Sequence, residues 1–227
     1  MYKISRIEWM ILLFVFSLVL LGFVFFFMGN GYFATYTSED GFIEWMTVVG
    51  ALIGAATCFY RVIKLHKWKS WLFSLTNIVL GIMLFFIAGE EVSWGQRIFN
   101  VHPSAYFQEH NTQGETNIHN LVVDHMRLNK IIFSFVLIAV LAIYLIVIPI
   151  IYRKNKKFKN FVDSAGAVIP QLYQIISFGL LFLLTSLIPD DKTAELLEFG
   201  AAFIFSLIIL FPVNAYVFHK GNAIKGI

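Results

Sequence analysis

The sequence predicts an all-α, polytopic membrane protein. It reads as a single domain over residues 1–227, with six transmembrane helices, both termini cytoplasmic, and an ordered extracytoplasmic cap between the third and fourth helices. Three observations carry this expectation. Of 227 residues, 59% are hydrophobic and 14% charged, against about 25% charged in soluble domains, and mean hydropathy is +0.76. Six runs approach or exceed the roughly 20 apolar residues that a spanning helix needs: 7–28, 41–63, 71–89, 130–152, 167–188 and 194–218. Finally, thirteen of the seventeen Lys and Arg fall on alternate connecting segments, the side that the positive-inside rule assigns to the cytoplasm.

The first run follows Lys3 and Arg6, as a signal peptide would. It outlasts the usual h-region of about 7–15 residues and lacks a small-x-small cleavage site, so it reads as a true span facing lipid. The second opens with Asp40-Gly41-Phe42-Ile43-Glu44-Trp45, and its Gly50-x-x-x-Gly54 permits close helix approach. The third runs from Trp71 to Ala88 and ends in Gly89-Glu90-Glu91-Val92-Ser93-Trp94-Gly95-Gln96-Arg97. If that stretch stays helical, Glu90, Ser93 and Arg97 share one face at i, i+3 and i+7.

Residues 98–129 are long for a connection inside a bundle, and such loops usually carry function. Pro103 predicts a short helix over 104–110. Glu115 and His119, at i and i+4, predict a second helix leading into the fourth span. On the cytoplasmic side, Arg153-Lys154-Asn155-Lys156-Lys157-Phe158-Lys159 is a polybasic run that topology explains. Thr193 stands where it would cap the sixth span, whose first turns hold Glu195 and Glu198.

Twelve of the fourteen acidic residues lie on or near the outer side. Three spans thereby bring carboxylates to one membrane level: Glu44, Glu90 with Glu91, and Glu195 with Glu198. The cap adds Glu115 and His119. Ionisable residues within spans are costly and face protein or water, so they count as candidate functional groups. Catalytic candidates are Glu90, Glu91, Ser93, Arg97 and His119; candidate metal ligands are Glu90, Glu91, Glu115 and His119; Glu44, Gln96, Glu195 and Glu198 support them. Carboxylates with imidazole suit a divalent Zn, Mn or Fe ion, which activates water against a lipid or lipid-linked substrate.

Two other readings fit the same residues: a non-enzymatic subunit or scaffold of a larger membrane complex, and a cation-binding transporter component. Ionisable groups are sparse in the inner halves of the spans, so no relay crosses the bilayer. No nucleotide, redox or hydrolase motif occurs. Cys58 is the single cysteine, which excludes an intrachain disulfide. Expected partners are membrane lipids and membrane proteins, with no nucleic acid.

The motif Gly-Glu-Glu-Val-Ser-Trp-Gly-Gln-Arg-Ile-Phe at 89–99, followed by Asn111-Thr112-Gln113-Gly114-Glu115-Thr116-Asn117-Ile118-His119-Asn120, resembles a pattern in a family of uncharacterised bacterial multi-pass membrane proteins. Glu44-Trp45 and the Glu195/Glu198 helix share in that resemblance, which implies a bacterial cytoplasmic-membrane location and no particular activity. Glu90-Glu91-Val92-Ser93 is also similar to alkaline ceramidase-like membrane hydrolases, which combine an acid, a Ser and histidines at a membrane-embedded zinc. The His-x-x-x-His of their last span has no counterpart in the sixth span here.

Overall fold

In a computed structural model, the described residues are 3–118, 121–123, 126–127 and 137–220. The architecture is helical, and four helices are long and apolar enough to cross a membrane. These are α1 (Arg6–Met28), α3 (Phe42–Leu65), α4 (Trp71–Glu91) and α10 (Thr193–Leu210). Helix α9 (Leu172–Ser186) is apolar but fifteen residues long. Between α4 and α9 lie α5 (Ala105–His110), α6 (Leu137–Ala142), a π turn (Ile143–Val147), α7 (Ile148–Lys154) and α8 (Lys156–Ala165). The π turn has a local cause: Pro149 has no N–H to give the Leu145 carbonyl, so the helix widens just before it.

The start of α1 is fixed by a capping box. Ser5 Oγ accepts from the Glu8 amide at 3.3 Å, and Glu8 Oε2 accepts from the Ser5 amide at 2.7 Å. Its end falls at Gly29, in positive φ. The short α2 (Tyr32–Tyr36) folds back onto α1, where the Tyr36 hydroxyl donates to the Leu18 carbonyl at 3.0 Å.

Helix α10 forms the centre. Leu196, Phe199, Ile204, Leu207 and Ile208 are fully buried, and α1, α3 and α9 surround them. A helix apolar on every side needs such enclosure or lipid. In a bilayer, tails are as apolar as leucine, so helices associate through close packing rather than through the hydrophobic effect. Gly50 supplies the closeness here. A Cβ there would sit 3.0 Å from Ala202, and the Gly50 carbonyl accepts a 2.6 Å bond from Ser206 Oγ.

Several expected boundaries shift. The fifth helix begins at Leu172 rather than 167, because Pro170 disfavours helix in the residue before it and residues 167–171 stay outside any helix. The sixth stops at Leu210 rather than 218. Phe211 leaves helical geometry, Pro212 cannot donate, and Ala215–Phe218 form a separate 3₁₀ turn. Thr193 is the first helical residue rather than the cap, and its hydroxyl donates to the Ile188 carbonyl at 3.2 Å. The polybasic run largely belongs to α8, an amphipathic helix laid against α4. Of the expected fourth span, residues 130–136 lie outside the described residues.

At the basic end of the bundle, Asp163 and Asn214 pin the segment before α9 and the C-terminal turn together. Asp163 accepts from the Tyr152 hydroxyl at 2.8 Å, from Asn214 Nδ2 at 3.1 Å, and from Tyr216. Asn214 in turn accepts from the Ile169 amide and donates to the Ala167 carbonyl.

Candidate functional site

The acidic end is organised by how α4 stops. The helix ends at Glu91, and Ser93, Trp94 and Gly95 follow with φ of 46°, 55° and 75°. Left-handed backbone costs a non-glycine residue about 1–2 kcal/mol, so two such residues in succession need compensation. Trp94 provides part of it: its indole Nε1 donates to Glu90 Oε1 at 2.7 Å. The ring then lies across the helix end, where a Cβ on Gly89 would come within 2.8 Å of Trp94 Cζ3. Gly95 takes the third left-handed position, which glycine adopts without penalty.

This turn overturns the helical expectation for 90–97. Glu90, Ser93 and Arg97 are not spaced along a helix face; the chain reverses between them. They nevertheless meet one polar network, because the cap folds onto the turn. Ser93 Oγ is buried and donates to Glu115 Oε2 at 2.5 Å. Asn117 Nδ2 donates to Ser93 Oγ at 3.0 Å and to Glu115 Oε2 at 3.1 Å. The Ile118 amide donates to Glu90 Oε2 at 2.5 Å, and the Thr116 amide to Gln96 Oε1 at 2.7 Å.

Arg97 joins cap, turn and α3. Its Nη1 is 2.9 Å from Glu115 Oε1, and its Nη2 is 3.7 Å from Glu44 Oε1. Asp40 Oδ2 lies 2.9 Å from Nε but off the N–H axis, so that contact is an ion pair without a hydrogen bond. Glu39 completes the set at 4.0 Å. Glu44 also accepts from the Asp40 amide, closing the entry to α3.

The cap is ordered locally by asparagines. Asn111 Oδ1 accepts from the Gln113 amide at 2.9 Å and the Glu115 amide at 3.2 Å, while its Nδ2 donates to Asn117 Oδ1 at 2.8 Å. Among the described residues the expected second helix does not open: 111–118 run through turns, with Asn111 bridged to Leu121. Glu115 therefore has no helical i+4 partner, and its role as a metal ligand loses its geometric basis. His119 lies outside the described residues.

Glu91 goes the other way. It makes no hydrogen bond among the described residues, and it is half-buried facing α10. One carboxylate oxygen each from Glu91, Glu195 and Glu198 lie within 4.8 Å of one another. The charges of Glu44 and Glu90 also reach Glu91. Glu91 and Glu195 are half-buried and Glu198 is exposed; three carboxylates that close repel one another, which a shared cation or proton relieves.

Of the ten candidate residues, the structure gathers Ser93, Gln96, Arg97, Glu115, Glu44 and Glu90 into the turn-and-cap network. It sets Glu91, Glu195 and Glu198 apart as a carboxylate group beside it. Sequence reasoning missed Asn111, Asn117, Trp94, Asp40 and Glu39. Asn111 had a readable signal, since Asn two residues before an amide it accepts from is an Asx turn. The chain matches no known family model, no curated protein and no solved structure.

Proposed function

We propose that the acidic end binds a divalent cation on Glu91, Glu195 and Glu198, and that this centre serves a hydrolase or transferase acting on a lipid or lipid-linked substrate. The observation that carries the proposal is a division of labour within one motif. From Gly89 to Arg97, the polar side chains of Glu90, Ser93, Gln96 and Arg97 are engaged in holding the turn and the cap. Glu91 is not, and it faces two further carboxylates. An all-oxygen donor set favours a hard cation, so of the metals expected from the sequence manganese fits best, with magnesium and calcium alongside it. Bound there, the ion would polarise a carbonyl or phosphoryl oxygen of a substrate, and this chain's contribution would be to hold it at the level of the lipid polar linkages.

The reading includes six spans, counting residues 130–152 and α9 with the four long helices, and places both termini in the cytoplasm. The acidic end then faces outward and the basic end inward, as the Lys/Arg distribution supports. A proton or cation pathway would need ionisable groups through the middle of the bundle. Among the described residues the buried ones (Glu8, Glu44, Arg61, Glu90, Glu115, Asp163) lie at its two ends.

A second reading, a structural subunit, is favoured by the Arg97 network, in which Glu44, Ser93, Glu115 and Asn117 all have protein partners. Elemental analysis separates the two. Purified protein equilibrated with manganese should retain about one ion per chain, and Glu91→Gln and Glu198→Gln should lose it while unfolding at the parent's temperature. Absence of bound metal in the parent would remove the catalytic reading and leave the structural one.

A further inference from the structure

The basic end carries a feature that the acidic site does not use. Arg61, near the end of α3, is 7% exposed. Its Nη2 donates to the Ile209 carbonyl, and its guanidinium carbon lies 3.6 Å from the centre of the Phe218 ring. Its Nη1 is buried without a hydrogen-bond partner, and no carboxylate pairs with Arg61 among the described residues. A guanidinium keeps its charge in proteins, so burying one with a donor unmet and no counter-ion is costly unless a ligand completes it.

Two adjoining cavities open onto this side chain. The larger, about 470 Å³, runs along the outer flank of α3 between Thr57, Tyr60, Leu210 and Phe218. The smaller, about 290 Å³, shares Tyr60, Arg61 and Phe218 and adds Lys64 and Lys220. One end of the groove is thus apolar and lies on the face of a spanning helix; the other is ringed by cations.

We infer that this groove binds a phosphate group, presented as the headgroup of an anionic phospholipid whose chain lies along α3. Arg61 is the anchoring donor through its unmet Nη1, which offers a charge-assisted bond to a phosphate oxygen. Lys64 and Lys220 supply the surrounding charge. The lipid source is preferred to free phosphate because the cavity is several times larger than the anion and continues along apolar side chains open to the bilayer. The inference is independent of the cation site at the opposite end.

Native mass spectrometry of the full chain in detergent tests it, with separate titrations of phosphatidylglycerol, phosphatidylcholine and inorganic phosphate. The expected result is one phosphatidylglycerol per chain, bound about tenfold more tightly than phosphatidylcholine: both carry the phosphate that Arg61 takes, and the choline ammonium of the second is repelled by Lys64 and Lys220. Arg61→Gln should weaken both lipids about tenfold, as loss of one charge-assisted contact warrants. Thr57→Trp, which fills the groove from its outer wall and leaves the guanidinium in place, should erase binding even if Arg61→Gln fails to fold. Arg153→Gln with Lys154→Gln, on the polybasic run, should leave the preference intact. If inorganic phosphate alone raises the unfolding temperature of the parent but not of Arg61→Gln, and neither lipid is preferred, the phosphate site stands and the lipid is overturned. Undiminished lipid binding in both groove variants, or no binding of either lipid and no phosphate effect in the parent, overturns the whole inference.

Discussion

Replacing Arg97 with Ala should be among the most damaging changes at the acidic end. The guanidinium stands between four carboxylates, and the side chains of Glu44 and Glu115 are only 10% and 11% exposed. Breaking a buried ion pair from one side costs about 3–5 kcal/mol, because the remaining charge stays desolvated. Glu39 and Asp40 are about half exposed, and each exposed pair contributes only about 0–1 kcal/mol. Arg97 itself is 29% exposed, so water enters the space it leaves and the lower end of the range applies, about 3 kcal/mol. At about 2–4 °C per kcal/mol for chains of this size, the unfolding temperature should fall by roughly 6–12 °C. Lys192→Ala, in the exposed turn before α10, should change stability by less than about 0.5 kcal/mol. Arg97→Lys should fall between, since an ammonium keeps the charge but cannot bridge several carboxylates in one plane. Thermal unfolding in detergent, followed by tryptophan fluorescence, reads all three. Equal unfolding temperatures for Arg97→Ala and Lys192→Ala would refute the argument that this cation holds buried acids.

Two further outcomes follow from the fold. Single cysteines at Gln108 and Asp191 should react with a membrane-impermeant reagent from outside, and cysteines at His66 and Lys156 only after permeabilisation; Cys58 is buried and gives little background. Labelling at position 108 from the cytoplasmic side alone would overturn the proposed orientation. Gly166→Ala should destabilise by about 2–4 kcal/mol, adding overpacking to left-handed backbone, because its Cβ would lie 2.2 Å from Phe73 Cδ2 at a φ of +62°. Gly179→Ala, which meets nothing within 4 Å, should be neutral or stabilising in the same thermal assay.

The long helices were legible because hydropathy is a property of many residues at once. The runs 7–28, 41–63 and 71–89 correspond to α1, α3 and α4 within about two residues at each end. What failed was local. Helical spacing was extended through Glu90–Arg97, where the backbone turns left-handed for reasons of packing: the Trp94 ring needs Gly89 beneath it, and Gly95 gives the turn its third residue. No periodicity reveals that, because the cause is a tertiary contact. The same holds for Glu115, assigned to a helix by an i, i+4 pair and found instead in an asparagine-organised turn. Arg61 carries only a topological signal in the sequence, because its burial against Phe218 joins segments about 150 residues apart.

Glu90 and Glu91 are neighbours in sequence yet serve different surfaces, and helix geometry is the reason. Successive residues on a helix point about 100° apart. At the last turn of α4, one acid therefore faces the cap and its neighbour faces α10. Glu90 is bound by an indole and an amide, so its charge is spent on fixing the turn. Glu91 meets Glu195 and Glu198, which share one face of α10 at i and i+3. Glu44 lies between the two groups: its carboxylate faces Arg97, and its charge is felt at Glu91. On the proposed reading, the Arg97 network sets the spacing between α3, α4 and the cap, and the three carboxylates use that spacing to hold a cation. A scaffold would require the first half of that arrangement; the second half, three carboxylates within 4.8 Å of one another, is stable when a cation or a proton is shared among them. Stability on loss of Arg97 and cation retention on loss of Glu91 are therefore separable readouts of two halves of one motif.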